Sequence, residues 1–154
     1  MFIQLHSKEE LAPFLDDIIK GARRVVKKTG EGHGQSAEAI VKTILYHVER
    51  DTGFILIHTD NERKLDGFLI AIFVNGHAPI VEFVTLWTRP RVATFFKDEG
   101  NRLFEEWARS KGATKIIAGL IRSPEKFFKW FHEPIGYKNV GIIIVKDLLP
   151  QEGV

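Results

Sequence analysis

Between Pro79 and Leu148 the chain switches between extended and helical periodicity in one fixed order: an apolar strand, a long amphipathic helix, a second apolar strand, an aromatic helix and the turn Ile135-Gly136-Tyr137. Parallel strands joined through a helix need a crossover, and such crossovers are right-handed. This stretch therefore restricts the fold more than any other part of the sequence.

The N-terminal half supplies the remaining elements. Phe2-Ile3-Gln4-Leu5 alternates as a short strand, and Ser7-Lys8-Glu9-Glu10 has the form of a capping box. Leu11, Phe14, Leu15, Ile18, Ala22 and Val25 then recur at helical spacing, with a bend or break expected near Gly21. Glycines 30, 32 and 34 mark a mobile loop, and Ser36 caps a helix over about Ala37 to Arg50 that buries Ile40, Val41, Ile44, Leu45 and Val48. Phe54 to His58 and Leu65 to Val74 flank a polar turn and read as a hairpin, which the turn at Asn75-Gly76 continues into Pro79 to Thr88. From about Phe95 the period is helical again, with Phe96, Gly100, Leu103, Phe104 and Trp107 on one stripe. Thr114 to Ile121 is a continuous apolar strand covered on both faces. Ser123-Pro124-Glu125 starts a short helix that ends at Gly136, and Val140 to Val145 forms the last strand.

The summed pattern predicts a mixed α/β domain spanning residues 1–154, a length that suits one hydrophobic core. With no cysteine, disulfides, thiolate metal sites and a cysteine nucleophile are excluded. Six scattered histidines give no metal-ligand spacing. No apolar run approaches the roughly 20 residues that span a bilayer. No secretory leader is evident, so the cytoplasm is the expected compartment and no membrane partner is expected. A net charge of +2 is far from that of a dedicated nucleic-acid binder. The basic cluster Arg23-Arg24-Val25-Val26-Lys27-Lys28 reads as a solvated helix face. The many aromatic side chains, among them Phe95 and Trp130, read as core at helical spacing.

The segment from Gly100 through Trp107 and Gly112 to Ile117 resembles the central helix and fifth strand of the GCN5-related N-acetyltransferases (GNAT), and Phe127 to Tyr137 is similar to that family's closing helix and its leucine-glycine-phenylalanine signature. The resemblance implies a GNAT-like, largely antiparallel mixed sheet flanked by helices on both faces. It also implies an N-acetyltransferase that moves an acetyl group from acetyl-CoA to a small-molecule or peptide amine.

In the family a Gln/Arg-x-x-Gly-x-Gly/Ala loop holds the cofactor diphosphate on bare amides at a helix N-terminus. Ending that motif at Gly100 brings Phe95 to its first position and Asp98 to its fourth, with Lys97 beside them; an earlier register uses Arg89-Pro90-Arg91-Val92-Ala93-Thr94. Both registers stay open at this point. The strand that splays beside the cofactor would offer a backbone N–H at Leu86 or Trp87 to the thioester oxygen.

Glu82 occupies the strand in which several relatives carry a glutamate base, and His132 falls where the family often places the acid that protonates the leaving thiolate. Strand alternation puts Glu82, Val84, Leu86 and Thr88 on one face, where Glu82 reads equally as a rim residue; His132 reads equally as a packed or capping side chain. His33 lies in the loop that recognises acceptors in the family. The weak match to the phosphate loop is also compatible with a GNAT-shaped binding or structural protein. Small divergent chains of this kind are similar to ones carried by tailed bacteriophages, in a virion or host-interaction role with a protein partner or as a homodimer.

Overall fold

The computed structural model describes residues 1–29, 36–75, 79–119, 128–139 and 143–150. His33, Gly76 and the Ser123-Pro124 helix start lie outside them. Seven strands form one sheet in the order β1-β2-β3-β4-β5-β7-β6, comprising β1 (Phe2–Leu5), β2 (Gly53–Thr59), β3 (Leu65–Asn75), β4 (Pro79–Thr88), β5 (Lys115–Gly119), β6 (Lys138–Asn139) and β7 (Ile143–Asp147). Only β4 and β5 pair in parallel. Of the strand expected over Val140 to Val145, residues 140–142 lie outside the described ones; β7 takes up its remainder and β6 pairs with it at the edge.

Helix α1 (Lys8–Leu11) begins at Ser7, whose Oγ accepts from the Glu10 N–H at 3.2 Å, while the Glu10 carboxylate accepts from the His6 N–H at 2.8 Å. Pro13 sits in a 3₁₀ turn (Ala12–Phe14), and α2 (Leu15–Thr29) then runs unbroken through Gly21. The break therefore falls at the proline, not at the glycine. Gly21 instead permits close approach: a Cβ there would lie 2.6 Å from the Phe68 ring and 3.0 Å from Trp87. Helix α3 (Ala37–Glu49) starts at Ser36, which accepts from the Ala39 N–H, and buries Ala37, Val41, Ile44 and Val48.

Because successive strand residues face opposite sides, β2 and β3 feed two cores. Phe54, Leu56, Leu69 and Ala71 pack with Phe104, Trp107 and Phe131 on one face. Ile55, Ile57, Phe68 and Ile70 pack with Ile18, Ala22, Val41 and Ile44 on the other. Among the described residues no helix is long and apolar enough to cross a membrane.

The largest departure from expectation follows β4. The helical run starts at Pro90, with a 3₁₀ turn (Pro90–Val92), α4 (Ala93–Phe95), a π-helical turn (Phe96–Gly100) and α5 (Asn101–Ser110) in unbroken succession. Pro90 suits this start, since a proline at the first helical position needs no N–H partner. The sequence period misses the first turn because Arg89, Pro90 and Arg91 are exposed and add nothing to an apolar stripe.

Candidate active site

β4 pairs with β5 at only four positions, Ile80 with Lys115, Val81 with Ile116, Glu82 with Ile117 and Phe83 with Ala118. β4 continues to Thr88 on β3, whereas Gly119 pairs with Ile143 of β7 and not with β4. Among the described residues the β4–β5 pairing therefore ends at Phe83 and Ala118. On β3, Ala71 stands opposite Phe83 but Ile70 stands opposite Thr85, so Val84 is an extra residue in β4. Such a bulge bends a strand and reverses its alternation. Strict alternation from Glu82 consequently fails: Val84 and Trp87 pack on the α2–α3 side with Ile72, the partner of Glu82, while Leu86 packs on the α5 side.

The direction of the backbone groups follows from one hydrogen bond. Arg89 donates its N–H to the Asp66 carbonyl on the β3 side at 2.8 Å. Antiparallel partners alternate between exchanging hydrogen bonds and turning away. Trp87 and Thr85 therefore turn toward β3, and Leu86 and Thr88 turn away from it, toward the β5 side of the sheet. Of the two candidate amides, Leu86 faces the β5 side and Trp87 pairs with β3.

The helical run follows directly on β4. In its first turn Pro90 has no N–H, that of Arg89 is held by Asp66 and that of Val92 by the Arg89 carbonyl. Three of these first positions thus offer no bare donor to an anion, but the side chains of Arg89 and Arg91 are exposed there. Asp66 and Asp60 hold the Arg91 guanidinium at 3.5 and 3.8 Å. Gly100 is removed from this end: it is buried inside the run at φ −60°, ψ −43°, against Phe2 and Phe96. Its assignment as the last glycine of a phosphate loop is corrected accordingly, because an amide inside a helix is already bonded. Lys97 lies further along the run with its ammonium 5.3 Å from the Trp130 ring centre. Phe95 and Trp130 are exposed, contrary to the core placement expected of them.

Glu82 is exposed, two residues before the bulge and one before the last β4–β5 pair. His132 does not join it. It is 4% exposed, in the α5-side core between Phe128, Phe131 and Tyr137. Burial pushes its pKa down to about 4. The structure thus places His132 as a packed side chain and not beside Glu82. Nearby, burial first and then the Glu105 carboxylate push the Tyr137 hydroxyl well above its ordinary value. Glu105 is itself held by Lys146, Arg109 and Asn101.

Two groupings escape the sequence patterns. His58, Asp66 and Arg91 form one charged cluster, whose only sequence signal is a lone carboxylate inside an apolar strand. Lys20, Arg24, Lys64 and Arg89 line one cavity although they come from three separate places in the chain. Among the described residues no group of three or more histidine and carboxylate side chains could hold a metal ion.

No family model matches the chain. No curated protein matches it either. Solved structures do. A type Ii aminoglycoside 6'-acetyltransferase superposes with a TM-score of 0.71 at 21% identity, covering 97% of this chain and 99% of the other. An aminoglycoside 6'-N-acetyltransferase complexed with coenzyme A gives 0.69 at 17% identity, covering 97% and 98%. Tetrahymena GCN5 gives 0.63 at 14% identity, covering 98% of both chains. The parallel pair, the bulged strand and the helix that follows it thus belong to a chain with the fold of the GNAT acetyltransferases.

Proposed function

We propose that this protein is an acetyl-CoA-dependent N-acetyltransferase acting on an amine. The observation that carries the reading is that the described β4–β5 pairing ends at Phe83 and Ala118, at a bulge on Val84, in a fold shared with acetyltransferases, one of them a coenzyme A complex; the reading places a gap for the thioester arm there. The residues present suit that co-substrate. Leu86 turns an N–H toward the gap, and Arg89 and Arg91 supply positive charge where relatives use a glycine-rich loop. Guanidinium groups suit phosphate oxygens, since they offer paired donors in a planar fork.

Bound acetyl-CoA supplies the activated acetyl group. Glu82 accepts the proton of the substrate ammonium, directly or through water, so that the nitrogen attacks with a free electron pair. The N–C bond forms as the C–S bond breaks, the electron pair of that bond leaves with sulfur, and the acylated nitrogen gives its second proton to water. Leu86 donates its N–H to the carbonyl oxygen as negative charge builds there. Water is the proton source for the thiolate, because His132 is enclosed in the core.

Thermal unfolding with and without acetyl-CoA tests the reading. A ligand at about 100 times its Kd adds roughly 2.7 kcal/mol to the folded state, which for a chain of this size raises Tm by about 5–10 °C. No shift at millimolar acetyl-CoA would instead favour a GNAT-shaped binding protein, the reading that the scarcity of bare amides at Arg89 to Val92 supports.

A further inference from the structure

We propose that the cavity between α2 and the adjoining ends of β3 and β4 holds a carboxylate or phosphate carried by the acceptor, so that the amine substrate is an acidic molecule; this rests on the acetyltransferase reading above. The cavity has a volume of about 170 Å³. At about 30 Å³ per water molecule, that admits an oxyanion on a short stem. Lys20, Arg24, Lys64 and Arg89 line it against one carboxylate, Asp17.

Two of these cations have carboxylates of their own, Lys20 with Asp17 at 3.7 Å and Lys64 with Glu62 at 2.6 Å. Among the described residues no carboxylate lies within ion-pair distance of Arg24; Arg89, at the edge of the same recess, is the cation assigned above to the co-substrate, so Arg24 carries the anion site. Arg24 is held in place over the Trp87 ring, 5.6 Å from its centre. A planar donor fixed by an aromatic ring loses little freedom on meeting an anion. The close approach of α2 at Gly21 brings these groups to β4. Like charges gathered in a concave site raise the local concentration of their counter-ion.

Position along β4 connects the cavity to the chemistry. Trp87 shares the α2–α3 side of the sheet with Val84 and with Ile72, the partner of Glu82. Trp87 and Val84 both lie on the strand that carries Glu82, so an acceptor whose amine meets Glu82 extends along β4 toward the cavity. A polycationic amine meets the same face as a repulsive field.

The test uses two dye-labelled peptides with free N-termini, alanyl-diglutamate and alanyl-dilysine, with binding followed by fluorescence anisotropy. The wild-type protein is expected to bind the acidic peptide at least tenfold more tightly. Arg24→Glu removes that preference, and Arg24→Gln weakens it with less disturbance to the fold, as circular dichroism checks. Lys27→Glu makes the same charge change on α2 outside the cavity and leaves the preference intact. Equal affinity for the two peptides overturns the proposal, as does an equal loss in the Lys27 variant, which would reduce the effect to diffuse charge. The acetyl-CoA thermal shift is measured on the same variants. Its persistence in Arg24→Glu supports an acceptor site, whereas its loss gives the cavity to the phosphates of the co-substrate and overturns the proposal. If the wild type shows an Arg24-dependent peptide preference but no acetyl-CoA shift, the anion site stands and the transferase reading falls.

Discussion

The Asp66 carboxylate lies 2.6 Å from Nδ1 of His58, and its side chain is only 3% exposed. Its second oxygen reaches the Arg91 guanidinium at 3.5 Å, and its backbone carbonyl accepts the Arg89 N–H. One residue at the start of β3 therefore ties the end of β2 to the entry of the helical run. In the proposed enzyme that entry carries the charges that meet the co-substrate, so the position of Arg91 depends on Asp66.

Replacing Asp66 with Asn keeps the shape and removes the charge. Taking away a buried hydrogen-bond acceptor shared by two partners costs about 1–3 kcal/mol, because the remaining polar groups lose their compensation. Urea denaturation is expected to show a loss in that range. A loss below about 1 kcal/mol would mean that the cluster is more hydrated than its burial indicates.

The start of the helical run makes a second prediction, which separates the two registers of the phosphate loop. Arg91→Ala should weaken acetyl-CoA binding by about tenfold, the effect of losing roughly 1.4 kcal/mol from a charge-assisted contact. Gly100→Ala should leave that affinity unchanged, because Gly100 is buried within the run against Phe96 and Phe2. Calorimetric titration of both variants decides the point. A large loss of affinity in the Gly100 variant alone would restore the later register.

The contrast between these two residues shows what was legible in the sequence. Strands β1 to β4 and helices α2 and α3 announce themselves through apolar periodicity, and Ser7 and Ser36 through cap chemistry, since each is a local property of a few side chains. The first turn at Pro90 is exposed, so periodicity is blind to it and the start was set too late. The bulge at Val84 is equally hidden. It depends on how β4 registers against β3, and one extra residue sends Leu86 to the side opposite Val84 and Trp87. His132 looked chemical because histidine titrates near neutrality; only the rings packed around it establish otherwise. The basic cavity was the least accessible feature, since Lys20, Lys64 and Arg89 meet only through tertiary packing.

Gly21 gives a third prediction, in which local and tertiary preferences have opposite signs. In an exposed helix Gly→Ala stabilises by up to about 1 kcal/mol. Here the added methyl would sit 2.6 Å from Phe68 and 3.0 Å from Trp87, both in the packed layer under α2. Overpacking of that kind costs about 1–3 kcal/mol. Gly21→Ala should therefore lower Tm, and it should also shift α2 relative to Trp87 and reduce the peptide preference attributed to the neighbouring cavity. A rise in Tm would show that the two rings can retreat at little cost.

His132 provides the last prediction, a dependence of stability on pH. Burial lowers its pKa from 6.5 to about 4 in the folded chain. Between these two values the unfolded chain binds the additional proton, so folding stability must fall as pH falls through that window. The contribution is complete above pH 6.5 and is gone once pH drops below about 4. A depression of this size corresponds to about 3 kcal/mol. Urea denaturation at pH 7.5, 5.5 and 4.5 should show the decline, superimposed on the contribution of carboxylates at the acid end. His132→Phe, which places a non-titrating ring among Phe128, Phe131 and Tyr137, should flatten the curve between pH 7 and 5 whatever its absolute stability. An unchanged slope in that variant would mean that His132 already reaches water in the folded state, and the acid role set aside above would reopen.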